Sequence, residues 1–208
     1  TRKRPVARFF TRAHSAIAVF TSDRRSDGGH VFGESAGWHE AKWTSPLPVV
    51  TLTPEHYGRI ERLLNAKTPV KVEFELNADI GNTDVSPPNV VAEISGGAKA
   101  NEVVIVGAHV DSWHGGTGAT DNASGSAVAM EAMRILKALN LKLDRTVRIV
   151  LWSGEEQGLL GSKAYVKEHY GDPKTMQIKG GHESVAAYFN LDNGSGKIRG
   201  VYLQGNDA

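Results

Sequence analysis

Six side chains in the second half of the chain suit divalent-metal and proton chemistry: His109, Asp111, Asp121, Glu155, Glu156 and Asp192. Imidazole and carboxylate form a donor set for zinc where no thiolate is available, and the chain contains no cysteine. Disulfides, cysteine-held zinc and a thiol nucleophile are therefore excluded. Taken singly, each residue has an ordinary explanation. A lone His after a strand is usually structural, an Asp before a helix is usually an N-cap, and a Glu-Glu pair usually faces solvent. Their positions relative to the apolar runs set them apart.

The continuous apolar run Val103–Ala108 leads into His109-Val110-Asp111. Val147–Trp152 leads into Ser153-Gly154-Glu155-Glu156, and Val185–Leu191 leads into Asp192. Such runs are typical of central, doubly covered strands. Asp121 sits in a Gly-rich turn just before a helix expected over Ser124–Leu139, with Ala127, Val128, Ile135, Leu136 and Leu139 as expected core contacts. A second helix is expected over Gly161–Tyr170, ended by Gly171 and Pro173. Strands separated by helices imply an α/β sheet covered on both faces. Ligands of such sheets bind beyond the carboxyl ends of the strands. Carboxylates converging on that edge would repel one another unless a cation neutralised them.

Other motif readings fail on particular residues. Gly115-Gly116-Thr117-Gly118 lacks the Lys-Ser/Thr ending of a P-loop, and Asp121 takes the place of the third glycine of a dinucleotide fingerprint. His182-Glu183 does not begin an H-E-x-x-H helix, because Ala186 stands where the second His belongs; His39-Glu40 fails the same test. The sequons Asn122-Ala123-Ser124 and Asn193-Gly194-Ser195 lie beside candidate ligands, which argues against glycosylation there.

Residues 1–68 have a different texture. Ala16–Phe20 and Pro48–Leu52 read as short strands, separated by a polar loop or hairpin over 22–43. Thr53 caps a helix that has Pro54 in its first turn, carries Tyr57, Ile60, Leu63 and Leu64 on one face, and ends near Asn65. Val70–Leu76 alternates like a strand with one wet face, Val90–Ile94 reads as another, and Ile198–Leu203 as a last one. The expected division is 1–68 and 69–208. A formal net charge of +1 argues against nucleic-acid binding. No apolar run reaches the eighteen or so residues of a membrane span, and no signal peptide opens the chain.

Four motifs in order complete the picture: His109-Val110-Asp111, Gly118–Gly125, Trp152–Ser162 and Asn190-Leu191-Asp192. Together they resemble metallopeptidase family 28, and most of all its carboxypeptidase Q-like branch. The resemblance covers residues 70–208. It implies a mixed, mostly parallel sheet flanked by helices, and two zinc ions. His109 and Asp192 would hold one zinc, Glu156 the other, and Asp121 would bridge them. Asp111 would orient His109, and Glu155 would be the general base, so that one of the two adjacent carboxylates stays on the metal while its neighbour handles protons. The implied activity is that of an aminopeptidase or a dipeptide-cleaving carboxypeptidase, exported, acting on peptides or dipeptides. Residues 1–68 are similar to the latter part of a protease-associated domain. The family supplies one more His on the Glu156 metal from a later segment, whereas no His follows His182. The chain thus resembles a fragment and is expected to be inactive by itself. A non-catalytic receptor-like relative and a one-zinc glutaminyl cyclase-like acyltransferase are the alternative classes on this fold. The former loses ligands, whereas His109, Asp121, Glu155, Glu156 and Asp192 are all present here.

Overall fold

The structure, a computed structural model, describes residues 17–23, 31, 48–77, 87–113, 115–192 and 194–203. The chain divides into two compact units, 1–84 and 85–208. The division falls later than the expected 68/69, so the segment 69–84 goes with the first unit.

In the first unit β1 (Val19–Ser22) pairs in parallel with β2 (Val49–Leu52), Val19 opposite Val49. β1 begins three residues later than expected, and most of the polar stretch 22–43 lies outside the described residues. Helix α1 (Pro54–Asn65) starts as its sequence requires: the Thr53 side chain accepts from the His56 N–H at 3.3 Å, and Pro54 fills the first turn. Val70–Leu76 is not a strand. It has the alternating pattern but no ladder partner among the described residues, and a strand needs both. Phe74 instead packs edge-on against Phe20, ring centroids 5.7 Å apart.

The second unit is built on a four-stranded sheet in the order β3-β5-β4-β8. β3 (Val90–Ile94) runs antiparallel to β5 (Arg145–Trp152). β5, β4 (Lys99–His109) and β8 (Val185–Asn190) are mutually parallel neighbours. The expected mixed, mostly parallel sheet is thus present. Helix α2 (Ser124–Ala138) follows β4, and α3 (Leu160–His169) follows β5. A small hairpin of β6 (Gly171–Asp172) and β7 (Gln177–Ile178) leads back toward β8.

The period-2 alternation of the strands divides the core between the two faces. Val103, Ile105, Val150 and Trp152 pack with Tyr165 of α3. Ala108, Ile149 and Leu151 pack with Ala129 of α2. Each fully buried Val or Ile is worth about 1.5–3 kcal/mol, which makes this double layer the rigid platform of the unit. At Gly107, near the carboxyl end of β4, a Cβ would come within 2.6 Å of the Tyr188 hydroxyl and 2.9 Å of Trp152 Nε1. The space goes to a polar tie across β4: Trp152 Nε1–H donates to Tyr188 Oη at 2.8 Å, and that hydroxyl donates to Asn190 Oδ1 at 2.7 Å.

Two expectations fail here. α2 buries Gly125, Ser126 and Ala129, whereas Ala127, Val128, Ile135 and Leu139 are exposed and Leu136 is half-buried. The helix lies close to the sheet through its small residues, and its apolar residues are too evenly spread for their spacing to pick a face. Ile198–Leu203 is irregular and exposed rather than a strand; among the described residues it has no strand beside it.

Candidate metal centre

The three parallel strands end side by side, with His109 of β4 opposite Trp152 of β5 and Gly107 opposite Asn190 of β8. The ladder runs one step further on each side: Val110 N–H donates to Trp152 O at 2.8 Å, and Leu191 N–H donates to Gly107 O at 3.1 Å. The residues that follow each strand are therefore brought to one edge.

His109 is the centre of the cluster and is almost completely buried, 2% exposed. Its Nδ1 lies 3.0 Å from the Asp111 main-chain carbonyl. A carbonyl only accepts, so Nδ1 carries the proton and Nε2 faces the cluster. Asp121 Oδ1 lies 2.9 Å from Nε2, Asp192 Oδ1 3.0 Å, and Glu155 Oε2 4.0 Å. Burial alone would lower the His109 pKa. Asp192 first, then Glu155 and the Asp111 carbonyl and carboxylate, outweigh it and raise it above the ordinary histidine value.

Asp121 is presented by a distorted turn, Ala119–Ala123, that opens on Gly118 in the left-handed region (φ 64°). A side chain at Gly118 would press on Ser112. Asp121 and Asn122 have non-helical backbone angles, and the peptide bond between them is cis. Glu155 and Glu156 lie in the tight turn between β5 and α3, where Gly154 (φ 62°) backs onto Leu160. The Asp111 carboxylate holds this turn: Oδ1 accepts from Glu155 N–H at 3.0 Å and Oδ2 from Glu156 N–H at 3.2 Å. Asp111 thus meets His109 chiefly through its main chain, while its side chain fastens the glutamate turn. The carboxylate stands 3.5 Å from His109 Nδ1.

Burial raises the Glu155 pKa; His109 opposes that, and the Asp192, Asp111 and Asp121 carboxylates add to it. Burial also raises the pKa of Glu156, aided by Asp121 and Glu155 and opposed by His109. Among the described residues Glu156 Oε1 is buried without a hydrogen-bond partner, an arrangement that costs free energy unless something else satisfies it. Among the described residues His109 is the one basic group paired with these carboxylates. Two overlapping sets, His109/Glu155/Asp192 and His109/Asp121/Glu156, each offer donor atoms within 4.8 Å of one another. Hard oxygen and imidazole donors, clustered like charges and an orphaned carboxylate oxygen all fit a divalent cation.

The structure brings all six residues singled out from the sequence together at one sheet edge. The sequence did not locate the residues that hold them. Ser126 Oγ–H donates to the His109 carbonyl at 2.8 Å. Asn122, 1% exposed, donates to Leu191 O at 2.8 Å and accepts from Gly125 N–H at 3.1 Å, which leaves no room for a glycan on its amide. Asn89 anchors the start of the glutamate turn, accepting from Ser153 N–H and donating to Gly161 O. The one available signal was the set of small polar residues around Asp121. A shallow cavity of about 310 Å³ opens beside the cluster, lined in part by Trp113, Thr117, Thr120, Asp121 and Glu156.

A mixed, helix-flanked sheet that gathers imidazole and carboxylates at its carboxyl edge defines an α/β protein with a candidate metal-binding edge. A family model of Peptidase family M28 matches residues 89–207, more than half of the chain, and the chain belongs to that family. Carboxypeptidase Q of Xenopus laevis is 34% identical over 140 residues, covering 67% of this chain and 30% of that protein. An aminopeptidase of Pseudomonas aeruginosa is 38% identical over 172 residues, covering 83% of this chain and 28% of that protein. Among solved structures, an M28 peptidase precursor of Shewanella amazonensis superposes with a TM-score of 0.52 at 31% identity, over 72% of this chain and 32% of that one. An aminopeptidase from Aneurinibacillus shares the fold, with a TM-score of 0.57 at 23% identity, over 86% of this chain and 40% of that one. The chain therefore spans about a third of the length of these relatives. No described helix is long and apolar enough to cross a membrane.

Proposed function

We propose that the whole protein is a zinc-dependent exopeptidase acting on peptides or dipeptides, exported from the cell, and that the cluster around His109 is its catalytic centre. The observation that carries this is the meeting of His109, Asp121, Glu155, Glu156 and Asp192 at one sheet edge in an M28 chain. His109 and Asp192 would hold one zinc, Glu156 a second, and Asp121 both. Bound there, the two ions would polarise the scissile carbonyl and acidify the attacking water.

The residues supply the rest. The Asp111 carbonyl fixes the His109 tautomer so that the Nε2 lone pair points into the cluster. The Asp111 side chain fixes the backbone of the two glutamates, so that Glu156 would hold the metal while Glu155 would be free to move protons. Glu155 takes the proton of the attacking water on a carboxylate oxygen and returns it to the leaving amine. We read residues 1–68 as the latter part of a protease-associated-like accessory domain. That reading leaves all six cluster residues in 69–208.

Glu155 also stands within reach of the His109/Asp192 donor set, so its role needs a direct test. In the full-length enzyme, Glu155→Gln should keep zinc and lose at least ~10²-fold in kcat. Loss of a zinc ion would make Glu155 a ligand. Near-normal kcat with full zinc would remove it from the chemistry.

A further inference from the structure

We propose that Asn122 is a positioning residue for the metal centre: its buried side-chain amide sets the distance between Asp121 and Asp192 around His109. This rests on reading those two aspartates as metal ligands. Asn122 directly follows Asp121, and its amide N–H donates to the carbonyl of Leu191, which directly precedes Asp192, at 2.8 Å. One hydrogen bond thus ties together the two loops whose carboxylates reach His109 Nε2 at 2.9 and 3.0 Å.

Both ends of the tie are anchored. Asn122 Oδ1 accepts from Gly125 N–H at 3.1 Å, in the first turn of α2. Leu191 N–H is held by Gly107 O at 3.1 Å, near the carboxyl end of β4. The amide is 1% exposed, so water does not compete for either bond. Packing is equally close: a Cβ at Gly125 would lie 2.3 Å from Asn122 Oδ1 and 2.5 Å from Leu191 O. Only a residue with a donor and an acceptor on one planar head satisfies both partners, and Asn is the shortest such residue. Asp has the same shape but turns a second acceptor toward the Leu191 carbonyl. Two facing oxygens repel, so the loops move apart and the two carboxylates with them.

The test uses the chain itself, with cobalt(II) as a probe whose visible bands report coordination geometry. Wild type, Asn122→Asp and Asn122→Ala are titrated, and the unfolding temperature of each metal-free chain is recorded separately. For a variant that folds, the Kd of the first cobalt should rise about 10–100-fold, the range for outer-sphere partners of a metal site, and the bands should change. Wild-type Kd and wild-type bands in a folded variant overturn the proposal. Should neither variant fold, the wild-type chain decides. The side-chain amide protons of Asn122 should exchange slowly with solvent and shift when cobalt's diamagnetic counterpart zinc is added; fast exchange, or no shift, overturns the proposal. A wild-type chain that binds neither metal refutes the ligand reading instead, which keeps the two failures apart.

Discussion

His109 meets Asp121 and Asp192 at 2.9 and 3.0 Å inside a frame of buried hydrogen bonds, whereas Glu156 presents a buried Oε1 with no hydrogen-bond partner among the described residues. The two halves of the cluster are thus built differently. Around His109 the donors are already gathered, and Ser126, Asn122 and the Asp111 carbonyl hold them there. Around Glu156 the backbone is held by the Asp111 carboxylate, but the only other carboxylate that we assign to that half is the shared Asp121. The contrast teaches that framework and ligand count are separate contributions. A loop can be fixed in place and still offer too few donors for a tight site, since zinc sites normally have at least three protein ligands.

Four substitutions would break or sharpen that contrast. His109→Ala should have the largest effect. It deletes the donor on which the first half is centred, and first-metal affinity should fall by more than the ~10–100-fold typical of losing an outer-sphere partner. Metal analysis after dialysis would show it. Asp121→Asn comes next and differs in kind: a bridging carboxylate serves both halves, so both affinities should drop. If the two variants lose metal in the same pattern, Asp121 is not a bridge.

Asp111→Asn should act on the other side of the comparison. The His109 contact uses the Asp111 main chain and survives. The carboxamide keeps one acceptor for two N–H groups and turns its own N–H₂ toward one of them. The Glu156 half should therefore weaken by about 10–100-fold while the His109 half changes less. Equal weakening of both would restore the expectation that the Asp111 side chain works mainly through His109. Ser126→Ala is the smallest change, removing one hydrogen bond to the His109 carbonyl. About 0.5–1.5 kcal/mol of stability should be lost, read from denaturant unfolding, with metal affinity barely altered.

The same contrast explains what the sequence could convey. The positions of the cluster residues were legible because long apolar runs mark central strands, and binding sites of α/β sheets lie where such strands end. Val103–Ala108, Val147–Trp152 and Val185–Leu191 each delivered the expected residue to the edge. The framework was hidden because it is non-local: Asn122 reaches Leu191 across 69 positions, and Asp111 reaches Glu155 across 44. Short polar side chains of this kind carry no periodic signal. Val70–Leu76 failed for the converse reason, since alternation gives a strand's pattern without giving it a neighbour. In α2 the helix was legible but its buried face was not: Val128, Ile135 and Leu139 are larger and more apolar than the Gly125, Ser126 and Ala129 that meet the sheet.

On the proposed assignment this chain carries one well-furnished metal site and one that is sparsely furnished. Zinc titration of the 208-residue chain by calorimetry tests it most directly. A first zinc should bind tightly and a second at least ~10-fold more weakly, because the proposed assignment gives three protein ligands to the first and two to the second. Two zincs of equal, high affinity would show that a ligand has been misplaced, and no tight zinc at all would contradict the metal centre itself.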